Sequence, residues 1–278
     1  MIKILVDSSS DYSPEEIRQK GYLFVPVTIS IGENNYVDGV DLERNAFFEL
    51  LIHGSDFPKT AQPSPQTFLE HFQKIKRDGD EVICILLSSE LSGTCQSALL
   101  AKNMVEYDGI HIVDSLSATF CIKILADHAA SLIRQGLGAA RIVAELERLK
   151  SRVKVVAALN TLEYLQKGGR IGKATAAIGE MANIKPVITV TKEGGIGVLG
   201  KCIGKNKAIS FIVKHLEELS LDTAFPVYSI FSYGTDNCEK FEEKLAEKNI
   251  PITRRLQIGA TIGSHIGPEA FGLIFVEK

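Results

Sequence analysis

Short apolar runs alternate with longer stretches of helical spacing through the first half of the chain. Ile2 to Val6 reads as a strand. Ser13-Pro14-Glu15-Glu16 then supplies an N-cap, a proline at the first helical position and early acids, so a helix is predicted to start there. Phe24 to Ile31 reads as a second strand, Asn34 to Asp38 as a turn with a short extended stretch, and Leu42 to Leu51 as a helix. Ser64-Pro65 opens another helix that places Phe68, Phe72 and Ile75 on one face. Val82 to Leu87 is a continuous apolar run, the mark of a strand buried on both faces. A helix from about Ser92 to Glu106, a strand at Ile110 to Val113 and a long apolar helix to about Gln135 complete a βαβα order. That order predicts a parallel sheet with helices on both faces.

The second half carries a different pattern. Val153 to Leu159 and Val187 to Val190 read as strands, and Thr189 to Cys202 as a hairpin turning at Lys192-Glu193-Gly194-Gly195. Helices are predicted at Lys205 to Leu219 and Asn237 to Lys248, with strands at Val227 to Phe231, Thr253 to Ile258 and Gly272 to Glu277. The expected fold is therefore α/β in two domains. Residues 1–159 form the parallel-sheet domain, and residues 160–278 an α+β domain with a mainly antiparallel sheet. The ligand site is expected between them.

Composition narrows the function classes. With 278 residues and 45% hydrophobic content the chain can bury a sizeable core. A net charge of −3 argues against a general nucleic-acid surface. The five cysteines are scattered without a CxxC pair, so buried free thiols and a reducing, cytoplasmic setting are expected. No stretch approaches the ~18–20 apolar residues of a membrane span, which excludes stable insertion by a helix. The histidines offer no metal-ligand spacing, so no metal and no cofactor are expected. Gly195 to Gly200 matches GxGxxG, but Ile196, Val198 and Cys202 alternate as the return strand of a hairpin, not as the start of a helix.

Candidate chemistry sits in hydroxyl- and glycine-rich turns: Asp7 to Asp11, Thr60 to Pro65, Ser88 to Thr94 and Ile262 to Pro268. Two of them follow strands directly, where open α/β sheets hold ligands. Their donors are hydroxyls, backbone N–H groups and one imidazole, which suit a small anionic head group. Ser92 with the N–H of Gly93 can cap a helix or face an anion. His265, between Gly263 and Gly267, lies where backbone can approach a ligand closely. Asp7, Asp11 and Asp114 are expected to shape turns by accepting from backbone N–H groups.

Taken together and in order, these stretches resemble the DegV family of bacterial fatty-acid-binding proteins. The likeness runs through Asp7-Ser8-Ser9-Ser10-Asp11, Val25-Pro26-Val27-Thr28, Thr60-Ala61-Gln62-Pro63-Ser64 and Leu87 to Thr94. It continues at Val113-Asp114-Ser115, Thr161 to Leu165, Gly168-Gly169-Arg170-Ile171, Ile184-Lys185-Pro186 and Gly263 to Pro268, so it covers essentially the whole chain. The resemblance implies a carrier and no catalytic residue. One long-chain fatty acid would be buried in an apolar tunnel and presented to a separate fatty acid kinase, which makes an acyl phosphate for phospholipid synthesis.

By that likeness Ser92, Gly93, Thr60 and His265 hold the carboxylate, with His265 either contacting the ligand or assisting transfer. Arg170, extended by Lys201 and Lys205, would face the kinase or a phosphate. Phe120, Ile124, Ile178 and Met181 are candidates to line the tail, and ordinary core is the competing reading for each. Some fourteen buried methylenes are worth roughly 11 kcal/mol gross, from which association entropy subtracts several. Two positions depart from the pattern: Ala61 where relatives place a hydroxyl, and Ile203 where they often carry arginine. Two other readings stand beside the carrier: an enzyme, hydrolase or phosphotransferase, on a small anionic substrate, and a regulatory module that senses acyl chains.

Overall fold

The structure is a computed structural model that describes residues 1–172 and 183–278. Strands β1 (Ile2–Asp7), β2 (Leu23–Val25), β6 (Glu81–Leu86) and β7 (Ile110–Asp114) form a sheet in the order β2-β1-β6-β7, with every pair parallel. Alternation along these strands feeds two cores. Leu5, Val82, Cys84 and Leu86 face helices α3 (Pro65–Asp78) and α4 (Thr94–Val105). Ile4, Val6, Ile83 and Ile85 face α5 (Phe120–Arg134) and α6 (Ala139–Leu149). The predicted start of α1 (Pro14–Lys20) is present as a capping box between Ser13 and Glu16.

The second sheet has the order β10-β9-β8-β13-β11-β12. Its strands are β8 (Val153–Ala158), β9 (Ile184–Val190), β10 (Ile196–Ile203), β11 (Tyr228–Phe231), β12 (Arg254–Gln257) and β13 (Phe271–Val276). Its pairs are antiparallel except β11–β12. One face packs on α8 (Lys205–Glu217) and α9 (Asp236–Glu247). The other contributes Ala157, Ile188, Ile230 and Ile274 to the same cluster as Ile4 and Ile83. Helix α5 therefore packs on β1 and β6 on one side and on β8 and β13 on the other. The GxGxxG stretch is strand β10, paired antiparallel with β9 as the alternation predicts.

The single strand expected over Phe24 to Ile31 is two. Pro26 has no N–H for a ladder and its ring restricts the residue before it. The chain leaves the parallel sheet after Val25, and Thr28–Ile31 (β3) starts a small antiparallel sheet with β4 (Asn34–Val37) and β5 (Lys59–Ala61), in the order β4-β3-β5. This sheet packs with α2 (Arg44–His53) and α10 (Ala260–Ile266) around Ile29, Phe47 and Phe48. The chain also joins the second sheet at β8, before residue 159, and α10 returns to the first-half elements α2, β3 and β5.

Candidate functional site

The site lies where α10, β5, the loop after β6 and the β9–β10 hairpin converge. In β5 the alternation of the strand turns Thr60 inward and leaves Ala61 exposed. The Thr60 Oγ1 is 2.9 Å from His265 Nε2. Position 61 faces solvent, and the inward hydroxyl of this strand is that of Thr60.

His265 is carried by a helix, where a turn was expected. Thr261 and His265 are one turn apart on α10, as are Ile262 and Ile266, and all four line one cavity. The flanking glycines serve packing, not ligand approach. A Cβ at Gly263 would lie 2.7–2.8 Å from the rings of Phe48 and Phe47, and one at Gly267 would overlap Tyr164. Gly168, in the turn after α7 (Glu163–Lys167), is needed in the same way: a Cβ there would overlap the His265 ring. Among the described residues His265 Nδ1 is a buried side-chain nitrogen with no hydrogen-bond partner. Burial, helped by the nearby Arg170 charge, pulls the imidazole pKa down to about 4, so His265 is neutral at ordinary pH.

Ser92 lies in the loop between β6 and α4. Its hydroxyl is 2.9 Å from Thr94 Oγ1 and accepts from Thr94 N at 3.3 Å. Gly93 is the N-cap of α4, and a Cβ there would overlap the Gln62 amide, which in turn donates to Ser97 Oγ at 3.2 Å. Arg170 is anchored despite its flanking glycines. Its Nε donates to Leu91 O at 3.1 Å and its Nη1 to Gly168 O at 2.6 Å.

Ser92, Thr60, Gln62, Arg170, Thr261 and His265 supply the polar lining of a cavity of about 60 Å³. Val27, Leu87, Leu91, Ala118, Leu165, Ile196, Ile262 and Ile266 supply its apolar lining. Arg170 also lines an outer cleft of about 310 Å³ with Glu90, Thr191 and Glu193. Lys201 is exposed on β10, Lys205 pairs with Glu269 at 3.1 Å, and neither lines the cavity. Ile203 is 54% exposed.

Of the tail candidates, Phe120 (1% exposed) and Ile124 (2%) are packed in the central helical layer, where Phe120 meets Tyr228 edge-on. Their segment reaches the cavity through Ala118 instead. Ile178 and Met181 lie outside the described residues. Thr261, Gln62, Leu165 and Ile196 line the cavity without having been singled out as site residues; Thr261 was findable as the residue one helical turn before His265, had the segment been read as a helix.

The turn carboxylates accept from backbone N–H groups as expected, but only Asp7 and Asp114 do so within their own turns, whereas Asp11 reaches the start of α10. Asp7 accepts from Ser9 N at 2.9 Å and Leu87 N at 2.7 Å, Asp11 from Gly259 N at 3.0 Å, and Asp114 from Leu116 N at 2.9 Å. No cluster of three metal-ligating side chains occurs among the described residues. None of their helices is long and apolar enough to cross a membrane.

These features define an α/β protein of three sheets whose cavity combines apolar walls with hydroxyl, amide, imidazole and guanidinium groups. The DegV family model, described as "Uncharacterised protein, DegV family", matches residues 1–278, and the chain belongs to that family. It is 34% identical over 279 residues to a DegV domain-containing protein of Caldanaerobacter subterraneus, covering 100% of this chain and 99% of the relative. A DegV family protein from Thermus thermophilus described by its fatty acid binding superposes with a TM-score of 0.89 at 29% identity, over 100% of this chain and 99% of that one. A stearic acid-binding protein from Eubacterium ventriosum superposes with a TM-score of 0.87 at 28% identity, with the same coverage.

Proposed function

We propose that this protein is a cytoplasmic carrier that binds a long-chain fatty acid and presents its carboxylate to a separate fatty acid kinase. The observation that carries this reading is the meeting of Thr60, Ser92 and a neutral His265 with Arg170 in one cavity whose remaining lining is apolar apart from Gln62 and Thr261. The hydroxyls and the imidazole satisfy a carboxylate by hydrogen bonds, and the guanidinium adds a compensating charge. The acyl chain runs from that polar cluster between residues 1–159 and 160–278, which both contribute to the cavity wall. Names given to the Thermus and Eubacterium relatives support the ligand class. The free thiols suit a reducing compartment.

Arg170 lines both the cavity and the outer cleft, so a kinase seated over the cleft would meet the acid at this residue, with Lys201 and Lys205 as the outlying basic groups. Acyl phosphate made there is the precursor for phospholipid synthesis. The hydrolase reading needs Ser92 bonded to His265 as its base. Instead the Ser92 hydroxyl bonds Thr94 and the His265 Nε2 bonds Thr60.

The test is mass spectrometry of the denatured protein after purification from its host, followed by assay with fatty acid and ATP. A long-chain acid near one per chain, and acyl phosphate formed only when kinase is added, is the expected result. No retained acid and no uptake of added oleate would overturn the proposal.

A further inference from the structure

The helix that carries His265 is tethered by two carboxylates that do not touch the cavity. Gly259, the N-cap of α10, donates its N–H to Asp11 Oδ1 at 3.0 Å. Thr261 donates to Asp38 Oδ2 twice, from its N–H at 3.2 Å and its hydroxyl at 2.5 Å. The acids come from separate places in the first half, Asp11 after the short turn at Ser8–Ser10 and Asp38 at the end of β4, and both are buried, at 2% and 5% exposed. Each is itself held: the Asp38 N–H donates to Val27 O at 3.0 Å. Thr119 Oγ1 donates to Asp11 Oδ2 at 2.5 Å, and Arg44 donates to the Asp11 carbonyl at 2.7 Å. The Ser8 hydroxyl sits 3.3 Å from Thr261 Oγ1 and accepts from Val27 N at 3.0 Å.

Helix α10 has seven residues, with a glycine at its middle, so it is too short to be stable by itself. Its rotation and height must come from what grips it. Asp11 and Asp38 line a second cavity, of about 440 Å³, which shares no lining residue with the cavity around His265. Thr261 lines the first cavity and Asp38 the second, so the bond between them links the two linings. One turn beyond Thr261, the same helix presents His265 to Thr60.

We propose that Asp38 and Asp11 are positioning residues of the head-group site, which set α10 so that His265 Nε2 meets Thr60. The ligand in this inference rests on the fatty-acid reading; the geometry does not. Two readouts separate them: oleate affinity by displacement of a fluorescent fatty acid, and the imidazole nitrogen resonances of His265 in the ligand-free protein.

Asp38→Leu removes the acceptor for Thr261, whereas Asp38→Asn keeps an acceptor oxygen in place. Asp38→Leu should shift the His265 resonances and weaken oleate about tenfold, the equivalent of one lost buried hydrogen bond. Asp38→Asn should restore wild-type resonances and affinity within about twofold. If Asp38→Leu does not fold, Thr261→Val decides, since it deletes the hydroxyl bond but leaves the backbone one; a His265 shift in the same direction as oleate weakens is expected. Unchanged His265 resonances in the folded variants would overturn the inference, as would Asp38→Asn behaving like Asp38→Leu. A wild-type protein that takes up no oleate would overturn the carrier reading alone, and the resonance comparison would still decide the positioning role.

Discussion

The Ser88 hydroxyl donates to the carbonyl of Gly194 at 2.9 Å, joining the loop after β6 to the tip of the β9–β10 hairpin. Ser88 N also donates to Ser117 O at 2.9 Å, and Ser88 O accepts from Leu91 N and Ser92 N at 3.0 and 3.1 Å. One fully buried residue thus ties together the segments that bring Leu91, Ser92, Ala118 and Ile196 to the cavity. Ser88→Ala leaves the Gly194 carbonyl without this donor and should cost about 1–3 kcal/mol. Gly194→Ala should cost more, because φ is +93° there and the added methyl would overlap the Ser88 hydroxyl. Urea denaturation midpoints at constant m-value measure both.

Adjacent positions in β5 should behave oppositely. Thr60→Val removes the partner of His265 Nε2 and is expected to weaken fatty-acid affinity about three- to tenfold, as for one net hydrogen bond. Ala61→Thr, on the exposed face, should leave affinity within about twofold. Equal effects at the two positions in a displacement titration would show that the inward face is wrongly assigned.

Protonation of His265 and of Asp11 should shift stability in opposite directions with pH. The unfolded histidine titrates near 6.5 and the folded one at about 4, so between those values the unfolded chain binds the extra proton. The His265 contribution is complete above about pH 6.5 and is lost as pH falls toward 4. Asp11, buried and beside Asp38, is raised from 3.8 to about 7, although Arg44 opposes the shift. In that window the folded state binds the extra proton, so the Asp11 contribution grows as pH falls from 7 toward 4. Residue-resolved NMR titration should show an imidazole still neutral at pH 6 and a carboxyl half-protonated near 7.

Gly168→Ala should damage binding far more than folding. Its φ and ψ, −75° and −8°, are open to alanine, yet the new methyl would overlap the His265 ring. The ring must leave Thr60 to make room, so affinity should drop about tenfold while the melting temperature moves by only a few degrees. Calorimetry and a displacement titration on the same sample compare the two effects.

Much of the parallel sheet was legible because β6 is an apolar run buried on both faces and α1 begins with a full capping box. The hairpin was legible through alternation and the Lys192-Glu193-Gly194-Gly195 turn. Local pattern could not show that Pro26 sends one run into two sheets, since that depends on where β3 finds its partners. Nor could it reveal α10, whose glycines look like a turn until Phe47, Phe48 and Tyr164 are in place against them. Thr60, Ser92 and His265 came forward through the family resemblance, yet the contact between Thr60 and His265 spans 205 positions and no local pattern shows it. The anchoring of Arg170 by the Leu91 carbonyl is likewise long-range.

Because α5 has a sheet on each side, neither half of the molecule owns a complete interior. A gene fragment ending at the expected boundary would carry β8 and α5 with half their neighbours missing, leaving a broad oily surface in water. Excision of either half should yield insoluble material, and heating the intact chain should give a single cooperative transition.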